Sequence, residues 1–530
     1  MAPETSADTL FGGLTSGLQS RGLDRRALAG RREGVDWVEL TGAQLLAEVA
    51  AVSTRLAELG LRAGDVLCLQ LPNGLEAVVY TYAAARIGAV VCPLTTIYRR
   101  RELGHVLRRT RCTILVVPSR HRRFDHAGLA ATLLGEVSTL QHVICVGETA
   151  HAGLLGSAVL REPLSGAPTP VTPTGLDDPA VLAFTSGTTG EPKGVMHSAA
   201  SMHAAVDGFV GHAGFGEGLR SLVVSPFGHL TGFTWGIVMP LRGGGEVVLQ
   251  ESWDAEEALD LTARYDVSFS MGATPFLTDL LAAAGRPGAR LPAVFVCAGA
   301  PIPPVLVERA VARHGCRVVA GWGMSEYPIG TSTAVGDDPS LAGTSDGRPA
   351  GPAQVRVVDE HGDPVAVGAE GDLQIRGPGL TIGYYERPDL DAAARTVDGF
   401  LMTGDRAKVV DARGHIRISG RTKDIIIRGG ENIPVVDVEN VLLTHPAVRE
   451  VALVPVPHER LGETACACLV LVPGTAAPTV AELGAFLAGE GVAVQFWPES
   501  LRVLDELPRT PSGKIQKFAL RRVAPPGVPG

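Results

Sequence analysis

The chain has 530 residues, 45% apolar and 19% charged, a balance that excludes a disordered or collagen-like protein. Its 47 basic and 56 acidic residues leave a net charge of −9, which argues against a dedicated nucleic-acid binder. The length corresponds to about three or four domains' worth of chain, and the 65 glycines, about 12% against a usual 7%, are spread through turns rather than set at a fixed period.

Taken in chain order, the first thirty residues are interrupted by Glu4, Asp8 and Asp24 and carry no signal-peptide pattern. Leu45, Leu46, Val49, Val52, Leu56 and Leu59 predict a helix over 41–60, with Thr41 and Gln44 as a capping box and Gly60 as its stop. Val66–Leu71 reads as a buried strand, 75–86 as a helix and Ala89–Leu94 as a strand, the rhythm of a βαβ unit on a parallel sheet. Val181–Phe184 is a strand leading into a glycine-rich loop. Ala293–Cys297, a helix over 304–314 and Cys316–Ala320 repeat the βαβ rhythm. Both of these strands are expected to run into glycine turns, Ala298-Gly299-Ala300-Pro301 and Gly321-Trp322-Gly323, where open α/β sheets place ligands.

After about 350 the pattern turns to short β elements, Val355–Asp359 and Gly371–Arg376. Beyond 424 it becomes a smaller α+β pattern, with strands at 448–454, 465–472 and 501–505 and a helix near 480–489. The expected organisation is an α/β protein: a large multi-subdomain N-terminal domain, 1–420, and a small mobile α+β C-terminal domain, 421–530. No apolar run reaches the ~18–20 residues of a membrane helix, since Ala77–Leu94 contains Arg86 and Leu291–Val307 contains four prolines. A soluble protein with no membrane partner is expected. The eight cysteines (68, 92, 112, 145, 297, 316, 466 and 468) form no C-x-x-C pair and read as small buried hydrophobes, which fits a reducing cytoplasm.

The segment richest in chemistry is Phe184-Thr185-Ser186-Gly187-Thr188-Thr189-Gly190-Glu191-Pro192-Lys193-Gly194. Glycines let backbone N–H groups approach an anion, hydroxyls add donors, and Lys193 adds a positive charge. By its chemistry this is a polyphosphate loop. It is not a Walker A loop, because no Gly-Lys-Ser/Thr ending is present and a proline precedes the lysine.

This string resembles the signature of the adenylate-forming enzymes, which include acyl-CoA synthetases, luciferases and peptide-synthetase adenylation domains. Four further segments resemble that family's motifs in the same order: Gly321-Trp322-Gly323-Met324-Ser325-Glu326, Thr403-Gly404-Asp405, Gly420-Arg421-Thr422-Lys423-Asp424 and Pro508-Arg509-Thr510-Pro511-Ser512-Gly513-Lys514. The resemblance implies ATP and Mg²⁺ as cofactors. Thr185, Ser186, Gly187, Thr188, Thr189, Gly190 and Lys193 then face the phosphates, with Thr188 and Lys193 in catalytic roles. Glu326, also implied to be catalytic, is the expected magnesium ligand, since that ion prefers oxygen donors. Asp405, expected on a short glycine turn, suits the two ribose hydroxyls, and Arg421 completes the ribose and phosphate contacts. Gly299, Ala300 and Pro301 are implied along the adenine, with Gly321, Trp322, Gly323, Met324 and Ser325 beside the nucleotide. Lys514, in a mobile loop at 510–515, is the cation expected to assist adenylation, and Lys423 is the hinge of the C-terminal domain.

Pro226-Phe227-Gly228-His229-Leu230-Thr231-Gly232-Phe233 resembles the segment that carries a histidine beside the acyl pocket of acyl-CoA synthetases. His229, Phe233, Gly272 and Trp322 are the expected substrate contacts. With Gly272-Ala273-Thr274-Pro275-Phe276, the chain looks most like short- and medium-chain fatty acyl-CoA and cyclohexanecarboxylate-CoA ligases, which implies an apolar acid and a place in fatty acid metabolism. Arg428-Gly429-Gly430-Glu431-Asn432 resembles the loop lining the pantetheine tunnel, so Gly429 and Gly430 are implied contacts of coenzyme A, the expected co-substrate. The chain departs from CoA-using relatives at Val494-Gln495-Phe496-Trp497, where a Lys/Tyr-rich stretch is usual, and at Trp322, where tyrosine is commoner. The expected activity is an AMP-forming acid–CoA ligase. The alternative is an adenylate-forming enzyme with another acceptor: a carrier-protein thiol, an amine, or a diazo-forming reaction. A homodimer is left open.

Overall fold

The computed structural model describes residues 9–523, except 34–35, 163, 165, 186–191, 301, 422–425, 429–430, 434, 459–461, 491, 493 and 511–512. Continuous apolar runs build its first sheet. Val66–Leu69, Val90–Pro93 and Ile114–Pro118 are buried along their whole length and pair in parallel, as strands do when both faces of a sheet are covered. This eight-stranded sheet ends in two antiparallel additions, Lys193–Ser198 on Pro179–Thr185 and Gly383–Tyr384 on Lys193–Ser198.

A second sheet of nine strands carries Arg26–Arg32, Arg220–Val223, Phe269–Gly272, Val294–Ala298 and Arg317–Met324. Helix Leu75–Ile87 packs against strands of both sheets, Val90–Pro93 and Arg26–Arg32, which is why it is apolar all round and buried at nearly every residue. The preceding helix, Gly42–Glu58, has the expected capping box: Gln44 N–H donates to Thr41 Oγ1 at 3.2 Å and Thr41 N–H to Gln44 Oε1 at 2.9 Å.

Gln354–Val358, Glu370–Arg376, Leu401–Val409 and Ile416–Arg421 make a four-stranded antiparallel sheet. From Ile426 onward the strands pair among themselves around Val448–His458 and Gly462–Leu471, with separate apolar cores on the two faces. The molecule is thus mixed α/β, with a large N-terminal and a small C-terminal domain. All eight cysteines are free and buried, and Cys466 and Cys468 share one strand face, as the alternation implies. Among the described residues no helix is long and apolar enough to cross a membrane.

Two local readings need correction. Cys316–Ala320 does not stop at a Gly321-Trp322-Gly323 turn: the strand runs on to Met324, and the hairpin turns at Ser325-Glu326 into Tyr327–Ser332. Its glycines serve close packing, since a Cβ on Gly321 would lie 2.8 Å from Ile329 Cδ1 and one on Gly323 would lie 2.3 Å from Pro328 O. Asp405 likewise sits inside the strand Leu401–Val409, not on a turn. The left-handed Gly404 (φ +73°) kinks that strand next to it.

Candidate active site

The glycine-rich loop is the connection of the Pro179–Thr185/Lys193–Ser198 hairpin. Thr185 and Lys193 are its closing pair, with Thr185 Oγ1 donating to Lys193 O at 3.4 Å. Ser186, Gly187, Thr188, Thr189 and Gly190 lie outside the described residues. Lys193 Nζ lies 5.4 Å from the centre of the Tyr384 ring, within cation–π range.

Glu326 follows at the hairpin turn, buried to 9% exposure. Tyr384 donates its hydroxyl to Glu326 Oε1 at 2.8 Å, and Thr381 N–H donates to Glu326 O at 2.7 Å. Burial and the neighbouring carboxylate push the Tyr384 phenol pKa up, so it stays a donor at neutral pH. Thr381 Oγ1 also donates to Met196 O at 2.6 Å, tying this turn to the phosphate hairpin. His197, wholly buried, completes the tie with Nε2 at 2.7 Å from Ser325 O and Nδ1 at 3.1 Å from Ser201 Oγ. A carbonyl partner requires the proton on Nε2, and burial lowers the ring's pKa to about 4. Neither Tyr384 nor His197 was singled out from the sequence. The signals available were Gly383-Tyr384-Tyr385 and a histidine four residues beyond Lys193.

With Oε1 held by Tyr384, Glu326 keeps Oε2 for a further partner. Among the described residues no group of three or more His, Cys, Asp or Glu could hold a metal. A single carboxylate beside a phosphate loop fits magnesium, which is commonly held by one or two carboxylates together with substrate phosphates.

Asp405, expected at the ribose, is 6% exposed and its Oδ2 accepts the Trp322 indole N–H at 2.9 Å. Trp322 packs with Tyr327, Leu373 and Leu401, and the structure joins it to Asp405. Arg421 is the backbone partner of Asp405 across the sheet. Gly299 has φ +81°, and Ala300 O lies 3.4 Å from Thr274 Oγ1. Pro301 lies outside the described residues.

Lys514 comes from the C-terminal domain and reaches Gly299. Its turn is closed by Thr510 N–H donating to Lys514 O at 2.7 Å and Lys514 N–H to Thr510 Oγ1 at 3.1 Å. Arg509 braces it through Gly513 O at 2.7 Å and Glu450 at 2.5 Å. A Cβ on Gly299 would stand 2.8 Å from Lys514 Cε, and one on Gly513 would stand 3.5 Å from Ala273 Cβ. The lysine therefore lies over the ends of two neighbouring strands, Val294–Ala298 and Phe269–Gly272.

The segment expected beside the acid follows Arg220–Val223. His229 N–H donates to Pro226 O at 3.1 Å and Phe233 N–H to His229 O at 2.9 Å, opening a π-helix over Thr231–Val238. Helices of that type concentrate at functional sites. His229 Nε2 is sealed from solvent without a partner among the described residues, and burial together with the Lys514 charge lowers the ring to about pKa 4. Phe233 is fully buried against Phe227, with ring centres 5.9 Å apart. Gly272 ends a strand where a Cβ would press on Phe276 at 2.9 Å and Val224 at 3.0 Å. Lys423, Gly429 and Gly430 lie outside the described residues.

Comparison with known proteins shows the family. The model of the AMP-binding enzymes matches residues 18–385, and that of their C-terminal domain matches 437–514. A medium-chain fatty-acid–CoA ligase of Escherichia coli is 34% identical over 467 residues, covering 87% of this chain and 82% of that protein. A salicyl-AMP ligase / salicyl-S-ArCP synthetase of Mycobacterium tuberculosis is 31% identical over 512 residues, covering 94% of this chain and 88% of its own length. ATP-bound MatB from Rhodopseudomonas palustris superposes with a TM-score of 0.85 at 27% identity, over 97% of this chain and 98% of its own. The chain belongs to the AMP-binding enzymes and is an adenylate-forming acid ligase of the acyl-CoA synthetase kind.

Proposed function

We propose that the enzyme activates an apolar carboxylic acid as acyl-AMP with release of pyrophosphate and passes the acyl group to the thiol of coenzyme A, releasing AMP. The observation that carries this reading is the seat of Lys514. It lies against Gly299 beside the nucleotide residues, and its charge is felt by His229 on the acid side. One cation thus serves both reactants of the first step.

In that step a carboxylate oxygen attacks the α-phosphorus, the bond to the bridging oxygen breaks, and pyrophosphate leaves. Negative charge concentrates on the phosphorus oxygens, where a positioned cation lowers the barrier. Asp405 accepts from the ribose hydroxyls, Lys193 and the Thr185–Gly190 loop hold the phosphates, and Glu326 would hold Mg²⁺, which neutralises phosphate charge when bound. His229, neutral at physiological pH, does not compete with Lys514 for the carboxylate. We place the domain boundary at 420–424 with Lys423 as hinge, so that the small domain withdraws Lys514 before the thiol enters past Gly429 and Gly430.

The test is mass spectrometry of products formed from ATP, Mg²⁺, CoA and a mixed pool of carboxylic acids. A new acyl-CoA mass supports the reading and names the acid class. Acyl-AMP without thioester favours a carrier-protein thiol as acceptor. That second reading draws on the salicyl-S-ArCP synthetase relative and on the lack of cations in Val494-Gln495-Phe496-Trp497.

A further inference from the structure

Asn73 stands immediately before helix Leu75–Ile87 but does not cap it: the N-cap is Gly74, which makes no side-chain cap bond. The Asn73 amide instead reaches across to the other sheet. Its Nδ2 donates to Val223 O at 3.3 Å and Ser225 O at 3.1 Å, and its Oδ1 accepts Phe227 N–H at 2.7 Å. The residue is 5% exposed. Three of the four hydrogen bonds an asparagine amide can make are spent on alternate residues of one segment.

Beyond Val223 that segment has no strand neighbour among the described residues. Arg220–Val223 pairs with Glu246–Leu249 and with Phe269–Gly272, and among the described residues the ladder stops at Val223. Beyond it, on the way to His229, the Asn73 amide takes the place of a neighbouring strand's peptide group. Other contacts close the remaining sides. Ser225 Oγ donates to Met271 O at 3.1 Å. Gly228 presses so closely that a Cβ would stand 2.4 Å from Thr95 N, and Gly232 would meet Pro226 O at 2.4 Å. Gln70 Nε2 in turn holds Thr95 O and Tyr98 O, each at 3.0 Å.

From this geometry we infer that Asn73 is a positioning residue that sets His229 against the acid, without acting on the nucleotide half of the site. The inference rests on the assignment of His229 to the acid side made above. None of its bonds touches Asp405, Glu326 or the phosphate hairpin, so its loss is expected to separate acid binding from ATP binding.

The experiment compares Asn73→Ala and Asn73→Asp with Thr81→Val, a control buried in the same helix whose hydroxyl, among the described residues, bonds only Ala77 O, at 2.7 Å. Asn73→Asp keeps the volume but turns two donors towards carbonyl oxygens into acceptors. Pyrophosphate exchange is measured with octanoate and with benzoate as probe acids, and hydrogen–deuterium exchange of the 224–230 peptide is followed by mass spectrometry. Both Asn73 variants should raise the KM for the acid about tenfold, keep the KM for ATP within about twofold, and speed exchange of the 224–230 peptide, while Thr81→Val does neither. Equal rises in both KM values, or 224–230 exchange unchanged from the parent, overturns the assignment. If the Asn73 variants do not fold, Ser225→Ala releases the same segment from Met271, and a smaller shift of acid KM and exchange decides. If the parent turns over neither acid, the proposed acid class fails, and the exchange of 224–230 alone still decides the role of Asn73.

Discussion

Lys514 and Asp405 show how little of a residue's role lies in its type. Lys514 is followed by Lys517, Arg521 and Arg522, and away from its motif it would read as one cation of a solvated tail. The structure sets it against Gly299. Lys514→Ala should lower ATP–pyrophosphate exchange by about 10²–10³-fold, the scale for removing one group aimed at developing charge. Thioester formation from preformed acyl-AMP should be nearly unchanged, as single-turnover assays with synthetic adenylate would show. Asp405 is held by Trp322, a partner no motif announces because 83 residues separate them. Trp322→Phe removes that donor, and a hydrogen bond to a charged group is worth about 1.5–3 kcal/mol. The KM for ATP should rise about tenfold or more in steady-state kinetics, with the KM for the acid little changed.

At the scale of elements, the sequence was most legible where periodicity or capping is strong. The helix over 41–60 and the strands at 66–71 and 89–94 were placed to within a few residues. It was least legible where a glycine's purpose depends on what packs against it. Gly321 and Gly323 look like turn formers, yet they admit the neighbouring strand of their own hairpin. Gly323→Ala would set a methyl 2.3 Å from Pro328 O, an overpacking cost of about 1–3 kcal/mol. Its thermal midpoint should fall, whereas Gly336→Ala, with nothing within 4 Å, should leave it unchanged. The π-helix over Thr231–Val238 was not visible because its apolar residues, buried on all sides, carry no distinguishing period.

For the whole molecule, three buried histidines, His126, His197 and His229, each have a pKa lowered to about 4, chiefly by burial. Each ring binds its proton more weakly folded than unfolded, so unfolding takes up protons between about pH 6.5 and 4. Their contribution is full above about pH 6.5 and is lost as pH falls through that window, by up to about 1.4 kcal/mol per pH unit for each ring. Chemical denaturation from pH 7 to 5 should show falling stability, and replacing His197 by Gln should flatten the slope.

The five ordered motifs were enough to indicate the family and its α/β class, because each is a short string of particular residue types that can be read without knowing what packs against it. Tyr384 on Glu326, His197 on Ser325, Trp322 on Asp405 and Asn73 on the His229 segment could be seen only in three dimensions. Each is a hydrogen bond between residues 58 to 154 positions apart. Local pattern carries no record of such partners, since what selects them is the need to satisfy buried polar groups once the sheets have closed on one another.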